Sequence, residues 1–385
     1  MRLLHTADWH IGKSLYGVQR LDECRDALGE IAAIARAERV DAVLVAGDLL
    51  DRRVVEPAAL GLALEALGAL AEAAPVIAVP GNHDDPDLWG HLAPLLAGRG
   101  VTVVHEILPA AEAVVEVATA AGPLHVAALP WPEPGRLGLA AGTERGAARS
   151  TYAELVADLV RSYADELVAR RRADGAPAVL MGHLMVDGSQ TGAGERALTM
   201  ALTYCLPTGA IPTDLDYIAL GHVHRPQPLP GVAAPGGYCG SPLALDFSED
   251  NHQKTVTVVD LGAAPREIPL AAGRPLVRIR GPLERLEEIA RPHDGAWLRC
   301  EVELDAPVAD LVRTVRAMLP GALRVEPAYP RAEPRPAGTP APGAGDPADV
   351  EADYAAWYAE TGRALDDRQA EAFAAAVRAA REEEP

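Results

Sequence analysis

Five short polar motifs stand out in the sequence, and each follows an apolar run typical of a buried strand. They are Asp8-x-His10 after LLHTA, Gly47-Asp48 after AVLVA, Gly81-Asn82-His83-Asp84 after VIAVP, Gly182-His183 after AVLM and Gly221-His222-x-His224 after DYIAL. Folds of the α/β class place functional side chains just past the C-terminal ends of their strands. The glycines permit tight turns that bring the next side chain into a shared cleft. The motifs therefore predict one site built from several strand ends.

The side chains in these motifs offer carboxylate oxygen, amide oxygen and imidazole nitrogen, and no thiolate. This donor set suits Mn²⁺, Fe or Zn²⁺, and the carboxylates favour Mn²⁺. The candidate ligands are Asp8, His10, Asp48, Asn82, His183, His222 and His224. One ion takes only about three or four protein ligands, so the set predicts two divalent ions that share one carboxylate. Such a pair activates a water and stabilises in-line displacement at phosphorus.

Two further side chains are candidates for catalysis rather than for metal binding. His83 lies next to the ligand Asn82 and is spare in the ligand count, so we expect it to neutralise the phosphate or to protonate the leaving group. Asp51 follows the ligand Asp48 closely and is predicted to hold the His83 imidazole in its orientation. The other histidines follow no such motif, and we interpret them as core or surface residues.

The overall charge argues against one class of function. The chain has 385 residues, 35 of them Lys or Arg and 55 Asp or Glu, which gives a net charge of −20. A chain this acidic binds polyanions poorly without help, which excludes a protein that simply coats DNA. A nuclease remains possible, because its metals and a partner supply positive charge.

Composition and cysteine spacing predict a cytoplasmic globular protein with reduced thiols. The chain is 49% hydrophobic and 23% charged, as folded proteins are. Its N-terminus lacks the pattern of a signal peptide, and its longest apolar stretch, 58–71, is interrupted by Glu65 and too short to span a bilayer. The four cysteines are far apart with no C-x-x-C pair, so neither a zinc ribbon nor a disulfide framework is expected.

Residues 1–270 alternate short apolar runs with longer amphipathic ones, which predicts a layered α/β domain. The apolar runs are Arg2–His5, Asp41–Ala46, Pro75–Val79, Val101–His105, Leu124–Leu129, Ala178–Met181, Tyr217–Leu220 and Thr255–Val259. Helices are expected near residues 20–39, 57–73, 86–97 and 151–172. Some neighbouring strands have no helix between them, so we expect a mixed sheet or two packed sheets.

Three further segments complete the chain. Residues 271–326 predict a small α/β unit in which three strands alternate with two helices, over 282–291 and 308–318. Residues 327–347 contain seven prolines and three glycines, which is typical of an extended linker. Residues 348–385 predict a helical hairpin, with an aromatic face on its first helix and a helix end at Gly362. We expect that face to dock on another protein; the alternative is that it folds back on its own domain.

The order of these motifs resembles that of the calcineurin-like metallophosphoesterases, and longer stretches are similar to the SbcD family of bacterial nuclease subunits. Those stretches are HTADWHIGK, VDAVLVAGDLLD, VPGNHD, GHLMVDG with GERALT, and DYIALGHVHRPQ with YCGSPLALDFSED. The resemblance implies a two-layer β sandwich flanked by helices, with a dinuclear centre. It assigns Asp8, His10, Asp48 and His224 to one ion. It assigns Asp48, Asn82, His183 and His222 to the other, with Asp48 bridging and His83 as the transition-state histidine.

The same resemblance implies a wider role in DNA repair, recombination and replication. The activity implied is a 3′→5′ exonuclease on double strands and an endonuclease on single strands and hairpins. Residues 271–326 would form a DNA-capping domain, and residues 348–385 would clasp the coiled-coil root of an SbcC-type ATPase. The family assembles as a homodimer within a heterotetramer. ATP use falls to the partner, because the sequence has no GxxxxGK(S/T) loop.

The sequence also departs from the family and leaves alternatives open. Asp85-Pro86-Asp87 stands where the family more often has a small polar and a basic residue, and Asp51 stands where Mre-type relatives carry histidine. The alternatives are a small-molecule phosphodiesterase or protein phosphatase of the same superfamily, and a non-catalytic adaptor of the ATPase. The candidate phosphate contacts are Lys13, Tyr16 and Arg225, with Arg20, Arg52 and Arg53 beside them.

Overall fold

A computed structural model describes residues 1–137, 145–191, 205–249, 253–329, 354 and 368–374. The chain divides into two units, residues 1–329 and residues 330–385. The predicted linker from residue 330 onward and Gly362, the predicted end of a tail helix, lie outside the described residues. None of the described helices is long and apolar enough to cross a membrane.

Each of the eight apolar runs predicted in residues 1–270 overlaps a strand, and further elements lie between them. The strands are β1 (Arg2–Thr6), β2 (Ser14–Leu15), β3 (Val18–Gln19), β4 (Ala42–Ala46), β5 (Val76–Val79), β6 (Val101–Val103), β7 (Val114–Thr119), β8 (Gly122–Leu129), β9 (Ala178–His183), β10 (Tyr217–Gly221), β11 (Gln227–Pro228), β12 (Gly236–Tyr238), β13 (Thr255–Asp260), β14 (Arg266–Pro269), β15 (Leu276–Pro282), β16 (Trp297–Glu303) and β17 (Ala322–Ala328). The α-helices are α1 (Leu21–Glu38), α2 (Pro57–Ala71), α3 (Pro86–Ala97), α4 (Ala110–Ala113), α5 (Arg145–Asp174), α6 (Leu286–Ala290) and α7 (Leu311–Met318).

The first sheet has the strand order β14-β13-β1-β4-β5-β6. Strands β1, β4, β5 and β6 are parallel, whereas β13 and β14 run antiparallel to their neighbours. Thr6 pairs with Val45, and Ala46 pairs with Val79. This register brings the C-terminal ends of β1, β4 and β5 level at one edge of the sheet.

The second sheet has the strand order β11-β12-β10-β9-β8-β7. Strands β8, β9, β10 and β12 are parallel, and β7 and β11 are antiparallel to their neighbours. Gly221 at the end of β10 pairs with His183 at the end of β9. Two strand ends of this sheet therefore also lie level with each other.

The two sheets pack face to face through a buried apolar layer. Leu44 and Ile77 of the first sheet lie in one cluster with Val126 and Met181 of the second sheet. Helices α1, α2 and α3 cover the outer side of the first sheet, and α5 covers the second. The predicted α/β class with two packed mixed sheets is confirmed, as is the two-layer sandwich that the resemblance implies.

Local sequence explains why the helices begin where they do. Asp22 and Glu23 lie in the first turn of α1, where carboxylates suit the positive end of the helix dipole. Helix α3 begins directly after the third motif, with Pro86 in its first turn and the Asp85 side chain accepting from the backbone N–H of Asp87 at 3.0 Å. The loop that carries Asn82 is therefore closed by a capped helix.

A small unit of three parallel strands, in the order β15-β16-β17, follows the sandwich. Its helices α6 and α7 pack on one face, around Ile279, Cys300 and Val315. The helix predicted over 282–291 is wrong in length, because α6 covers only 286–290. Short 3-10 turns flank it, and Pro292 within the second turn cannot continue an α-helix. Strand β17 reaches Ala328, beyond the predicted end of the unit.

Six strands are absent from the prediction: the short strands β2, β3, β11 and β12, and the longer strands β7 and β14. Strand β7 lies in an alanine-rich stretch that reads as helical, and only its antiparallel pairing with β8 makes it a strand. Strand β14 carries charged residues on an edge, where apolar periodicity is weak. In the tail, Tyr354 is helical, residues 368–374 form a helical turn, and the Tyr354 and Phe373 rings stack at 3.8 Å.

Acid is expected to destabilise the sandwich through His5. His5 is fully buried in β1, with Nδ1 3.1 Å from the Tyr217 hydroxyl. Burial lowers the pKa of His5 from 6.5 to about 3. In the unfolded chain His5 is protonated below about pH 6.5, whereas in the folded chain it stays neutral down to about pH 3. The free energy of unfolding therefore falls as the pH is lowered through this window.

His5→Gln removes this titration. The free energy of unfolding is measured with urea at pH 7.5 and at pH 5.5. On going from pH 7.5 to pH 5.5, the wild-type chain is expected to lose about 1 kcal/mol more of it than the variant does. His293→Gln, at an exposed position, is the control and keeps the wild-type loss. Equal losses in wild type and His5→Gln contradict the assignment.

Candidate metal centre

The strand ends of the two sheets meet at one edge of the sandwich, and the predicted motifs lie there. Asp8 and His10 follow β1, Asp48 follows β4, Asn82 and His83 follow β5, His183 ends β9, and His222 and His224 follow β10. Both sheets therefore contribute ligands, and the apolar layer between them ends beneath the site.

Unusual backbone conformations concentrate at these ligands. Asp8, His10, Asp48 and His222 have φ values of 54°, 44°, 50° and 98°, in the region that side chains other than glycine rarely adopt. Each such residue costs on the order of 1–3 kcal/mol, which the surrounding structure must offset. Strain gathered in one place is typical of a functional site.

Two motif glycines are required by close approach. A Cβ atom on Gly47 would lie 2.2 Å from His183 Nδ1, and one on Gly81 would lie 2.1 Å from Asp48 Oδ1. No side chain fits at either position without moving a candidate ligand. Each glycine therefore makes room for a candidate ligand that comes from another strand end: Gly47 for His183, and Gly81 for Asp48.

The candidate ligands form two groups. In the first group, His10 Nε2 lies 3.2 Å from His224 Nε2 and 3.5 Å from Asp48 Oδ2. Oxygen and nitrogen atoms of Asp8, His10 and His224 lie within 4.8 Å of one another. This is the set that the resemblance assigns to one ion.

In the second group, Asn82 Oδ1 lies 3.1 Å from His183 Nε2 and 2.9 Å from His222 Nδ1. His183 Nε2 also lies 3.4 Å from Asp48 Oδ2. Asp48 Oδ2 therefore faces both groups, which is the position that a shared carboxylate needs.

Hydrogen bonds among the candidate ligand atoms do not satisfy all of them, whereas divalent cations would. Asp8 Oδ2 is buried and has no hydrogen-bond partner among the described residues. The facing nitrogens of His10 and His224 can share at most one hydrogen bond. Buried polar groups in native proteins are almost always satisfied. A metal ion in each group satisfies these atoms, so the residues present fit a pair of ions.

Electrostatics favour a cation at the same place. Burial opposes the ionised carboxylate, yet His183 and His10 hold the pKa of Asp48 well below its usual range. Burial likewise opposes the imidazolium of His183, but Asp48 and Asp8 outweigh it and raise its pKa to about 9. Burial raises the pKa of Asp8 to about 6. The carboxylates thus draw positive charge into a buried position, as functional sites do.

The prediction that the Asp51 carboxylate orients His83 is wrong. His83 Nδ1–H donates to the backbone carbonyl oxygen of Asp51 at 2.8 Å. The Asp51 carboxylate instead lies 3.3 Å from His10 Nδ1 and 3.3 Å from Lys13 Nζ. Asp51 therefore lies behind the candidate ligand His10, at ion-pair distance from its ring, on the side where carboxylates often support metal-binding imidazoles.

Supporting side chains that the motifs do not reveal surround the ligands. The Trp131 ring stacks on the His222 ring, with centroids 5.2 Å apart and planes at 22°. Glu249 Oε1 lies 3.2 Å from His224 Nδ1, and Lys254 Nζ donates to Glu249 Oε2 at 2.6 Å. Glu249 lies in a stretch noted only for its family resemblance, and no spacing rule connects it with His224.

Asp84, the last residue of the third motif, holds the loops that carry the ligands. Its fully buried carboxylate accepts from the backbone N–H groups of Leu49, Leu50 and Gly81 at 2.9–3.0 Å. It also accepts from Trp89 Nε1 at 3.2 Å. One carboxylate therefore joins the loop after β4, the loop after β5 and helix α3.

Asp84→Asn is expected to lower the free energy of unfolding by about 2–4 kcal/mol, because an amide NH₂ would face buried N–H donors. Urea unfolding measures this loss. Asp85→Asn is the matched control, since asparagine caps a helix as well as aspartate does. A loss no larger than that of Asp85→Asn would show that the Asp84 hydrogen bonds contribute little to stability.

The candidate phosphate contacts differ in exposure. Arg225 is exposed, Arg52 is 73% exposed, and Tyr16 is 39% exposed. Arg20 is buried in an ion pair with Glu23 at 2.9 Å, so it does not reach a substrate. The remaining two are partly engaged, Lys13 with Asp51 and Arg53 with Glu133.

Comparison with known proteins agrees with this geometry. The family model described as calcineurin-like phosphoesterase matches residues 1–226, and the model described as type 5 capsule protein repressor C-terminal domain matches residues 272–349. The first match covers more than half of the chain. The chain thus belongs to the calcineurin-like phosphoesterase family and has its fold.

Similar proteins identify the subfamily of phosphoesterases to which the chain belongs. The chain is 33% identical over 346 residues to the SbcD component of nuclease SbcCD from Bacillus subtilis, covering 86% of each chain. It is 34% identical over 348 residues to the SbcD component from Rhodobacter capsulatus, covering 83% of this chain and 84% of the relative. It is 25% identical over 331 residues to SbcD from Escherichia coli K12, covering 83% and 82%. The chain belongs to the SbcD family of metal-dependent nucleases.

Proposed function

We propose that the chain is the nuclease subunit of an SbcCD-type complex and hydrolyses DNA phosphodiesters with two divalent ions, Mn²⁺ in the native protein. One observation carries the proposal. Asp48 Oδ2 lies within 3.5 Å of ligand nitrogens from both groups, which supports a shared carboxylate between two ions. We assign Asp8, His10, Asp48 and His224 to one ion, and Asp48, Asn82, His183 and His222 to the other.

When bound, two ions activate an attacking water and stabilise the charge of an in-line displacement at phosphorus. His83 lies beside the candidate ligands, with a ring nitrogen within 4.8 Å of ligand atoms of His10 and Asp48. Its Nδ1–H is committed to the Asp51 carbonyl, so Nε2 is the atom that meets substrate. Asp48 Oδ1 accepts from the His83 backbone N–H at 2.9 Å and keeps this histidine next to the bridging carboxylate.

DNA is the substrate that we infer, cleaved 3′→5′ from double-stranded ends and internally in single strands and hairpins. Lys13, Tyr16 and Arg225 are the proposed phosphate contacts. They are few against a net charge of −20, so the chain alone is expected to bind DNA weakly.

The remaining part of the proposal concerns an ATPase partner. We propose that residues 348–385 bind the coiled coil of an SbcC-type ATPase, whose ATP cycle controls access of DNA to the centre. Two copies of each chain would form a heterotetramer that acts in repair, recombination and replication. We place the complex in the cytoplasm, where widely spaced cysteines stay reduced.

The test is cleavage of end-labelled duplex and hairpin DNA by the full chain, with and without Mn²⁺, the ATPase partner and ATP. We expect cleavage that requires Mn²⁺, stops with EDTA and rises with partner and ATP. If DNA is not cleaved while bis-p-nitrophenyl phosphate is hydrolysed, the centre is active and the substrate is a small phosphodiester. If neither is hydrolysed, the chain is an adaptor.

A further inference from the structure

The Phe247–Glu249 turn touches both the metal centre and the small three-stranded unit. At one end, Glu249 Oε1 lies 3.2 Å from His224 Nδ1. The His224 ring points its other nitrogen, Nε2, at His10 Nε2, 3.2 Å away. A carboxylate that accepts a hydrogen bond from Nδ1–H keeps the proton on Nδ1, leaves the Nε2 lone pair available to an ion and fixes the ring plane.

The Glu249 carboxylate is itself held in place. Lys254 Nζ donates to it at 2.6 Å and also donates to Ser241 Oγ at 2.9 Å and to the His224 carbonyl at 3.3 Å. The Leu245 backbone N–H lies 3.3 Å from Glu249 Oε2. Both Glu249 and Lys254 are almost fully buried, at 12% and 8% side-chain exposure. A buried ion pair with this many hydrogen bonds keeps one geometry.

At the other end, the small unit holds the turn. Arg278 of β15 donates from Nε and Nη2 to the Phe247 carbonyl, at 3.0 and 2.7 Å. The Phe247 side chain is fully buried in one cluster with Leu276 of β15 and Leu323 of β17. A shift of the small unit therefore moves the turn, and Glu249 is part of that turn.

We propose that Glu249 is a positioning residue for His224, and that the Phe247–Glu249 turn makes the ion affinity of the first ligand group depend on the position of the small unit. The inference rests on the proposed two-ion centre and goes beyond it. It names a regulatory connection between the small unit and one ion, and it leaves the second ligand group outside that connection.

Binding of Mn²⁺ to the full-length chain tests the proposal without any DNA. Free Mn²⁺ is followed by electron paramagnetic resonance during a titration, so occupancy is read independently of activity. In Glu249→Gln we expect one of two ions to bind about 10- to 100-fold more weakly. In Arg278→Ala we expect the same ion to bind about 3- to 10-fold more weakly. The other ion keeps its wild-type affinity in both variants.

Arg280→Ala is the matched control, because Arg280 lies on the same strand but pairs with Glu303 and does not touch the turn among the described residues. It is expected to bind both ions as the wild type does. If Glu249→Gln fails to fold because Lys254 is left unpaired, the double variant Glu249→Gln with Lys254→Met removes both charges. That variant is expected to show the same loss.

The outcomes separate the two proposals. Wild-type affinity for both ions in Glu249→Gln, even with lowered stability, shows that the ion pair is merely structural and overturns the inference. A loss in Glu249→Gln with none in Arg278→Ala overturns the connection to the small unit. A wild-type chain that binds two ions but cleaves no DNA refutes the proposed substrate and leaves this inference standing.

Discussion

Asp48→Asn is expected to abolish DNA cleavage, with a loss of at least about 10³-fold in kcat, and to remove tight binding of both Mn²⁺ ions. Asp48 Oδ2 faces His10 on one side and His183 on the other, at 3.5 and 3.4 Å. The amide of asparagine is neutral and offers one oxygen where two ions need a shared negative ligand. Asp8 does not take its place, because the His183 nitrogen that it approaches, Nδ1, donates to the Ala46 carbonyl.

The loss must be shown to come from the centre and not from the fold. Asp87→Asn is the matched control, because Asp87 lies just after the third motif, is 71% exposed and pairs with Arg136. It is expected to bind two ions and to cleave DNA at the wild-type rate. Circular dichroism and a Mn²⁺ titration accompany the kinetics. Retention of two-ion binding in Asp48→Asn is incompatible with a bridging role.

The clustering of the candidate ligands could be predicted because each of these residues carries its own local signal. A buried strand, a glycine and a polar side chain follow one another at Gly47-Asp48 and Gly182-His183. The strand determines the direction of the chain, and the glycine gives the close approach measured at Gly47. Parallel register then brings the separate strand ends together.

The supporting residues could not be predicted because their partners lie far along the chain. Glu249 meets His224 only because the Phe247–Glu249 turn brings them together across 25 residues of sequence. Trp131 and His222 follow β8 and β10, which β9 separates in the second sheet. The Asp51 prediction failed for a related reason. Closeness in sequence to Asp48 does not determine whether a carboxylate or a backbone carbonyl meets His83.

The second large effect is expected at His83. His83→Gln should lower kcat on DNA by about 10²- to 10⁴-fold, the usual contribution of a proton donor or charge stabiliser. Both Mn²⁺ ions should still bind, because the two ligand groups are complete without this side chain. The variant therefore separates catalysis from metal binding, which Asp48→Asn does not.

The leaving group decides between the two roles open to His83. If the imidazole protonates the leaving oxygen, bis-p-nitrophenyl phosphate should lose far less rate than DNA, because nitrophenolate leaves without a proton. If the imidazole neutralises the phosphoryl oxygens, both substrates should lose the same factor. His91→Gln, on helix α3 and away from the motifs, is the control and keeps the wild-type rate on both. A His83→Gln rate equal to the wild type on both substrates would mean that the ions act without this histidine.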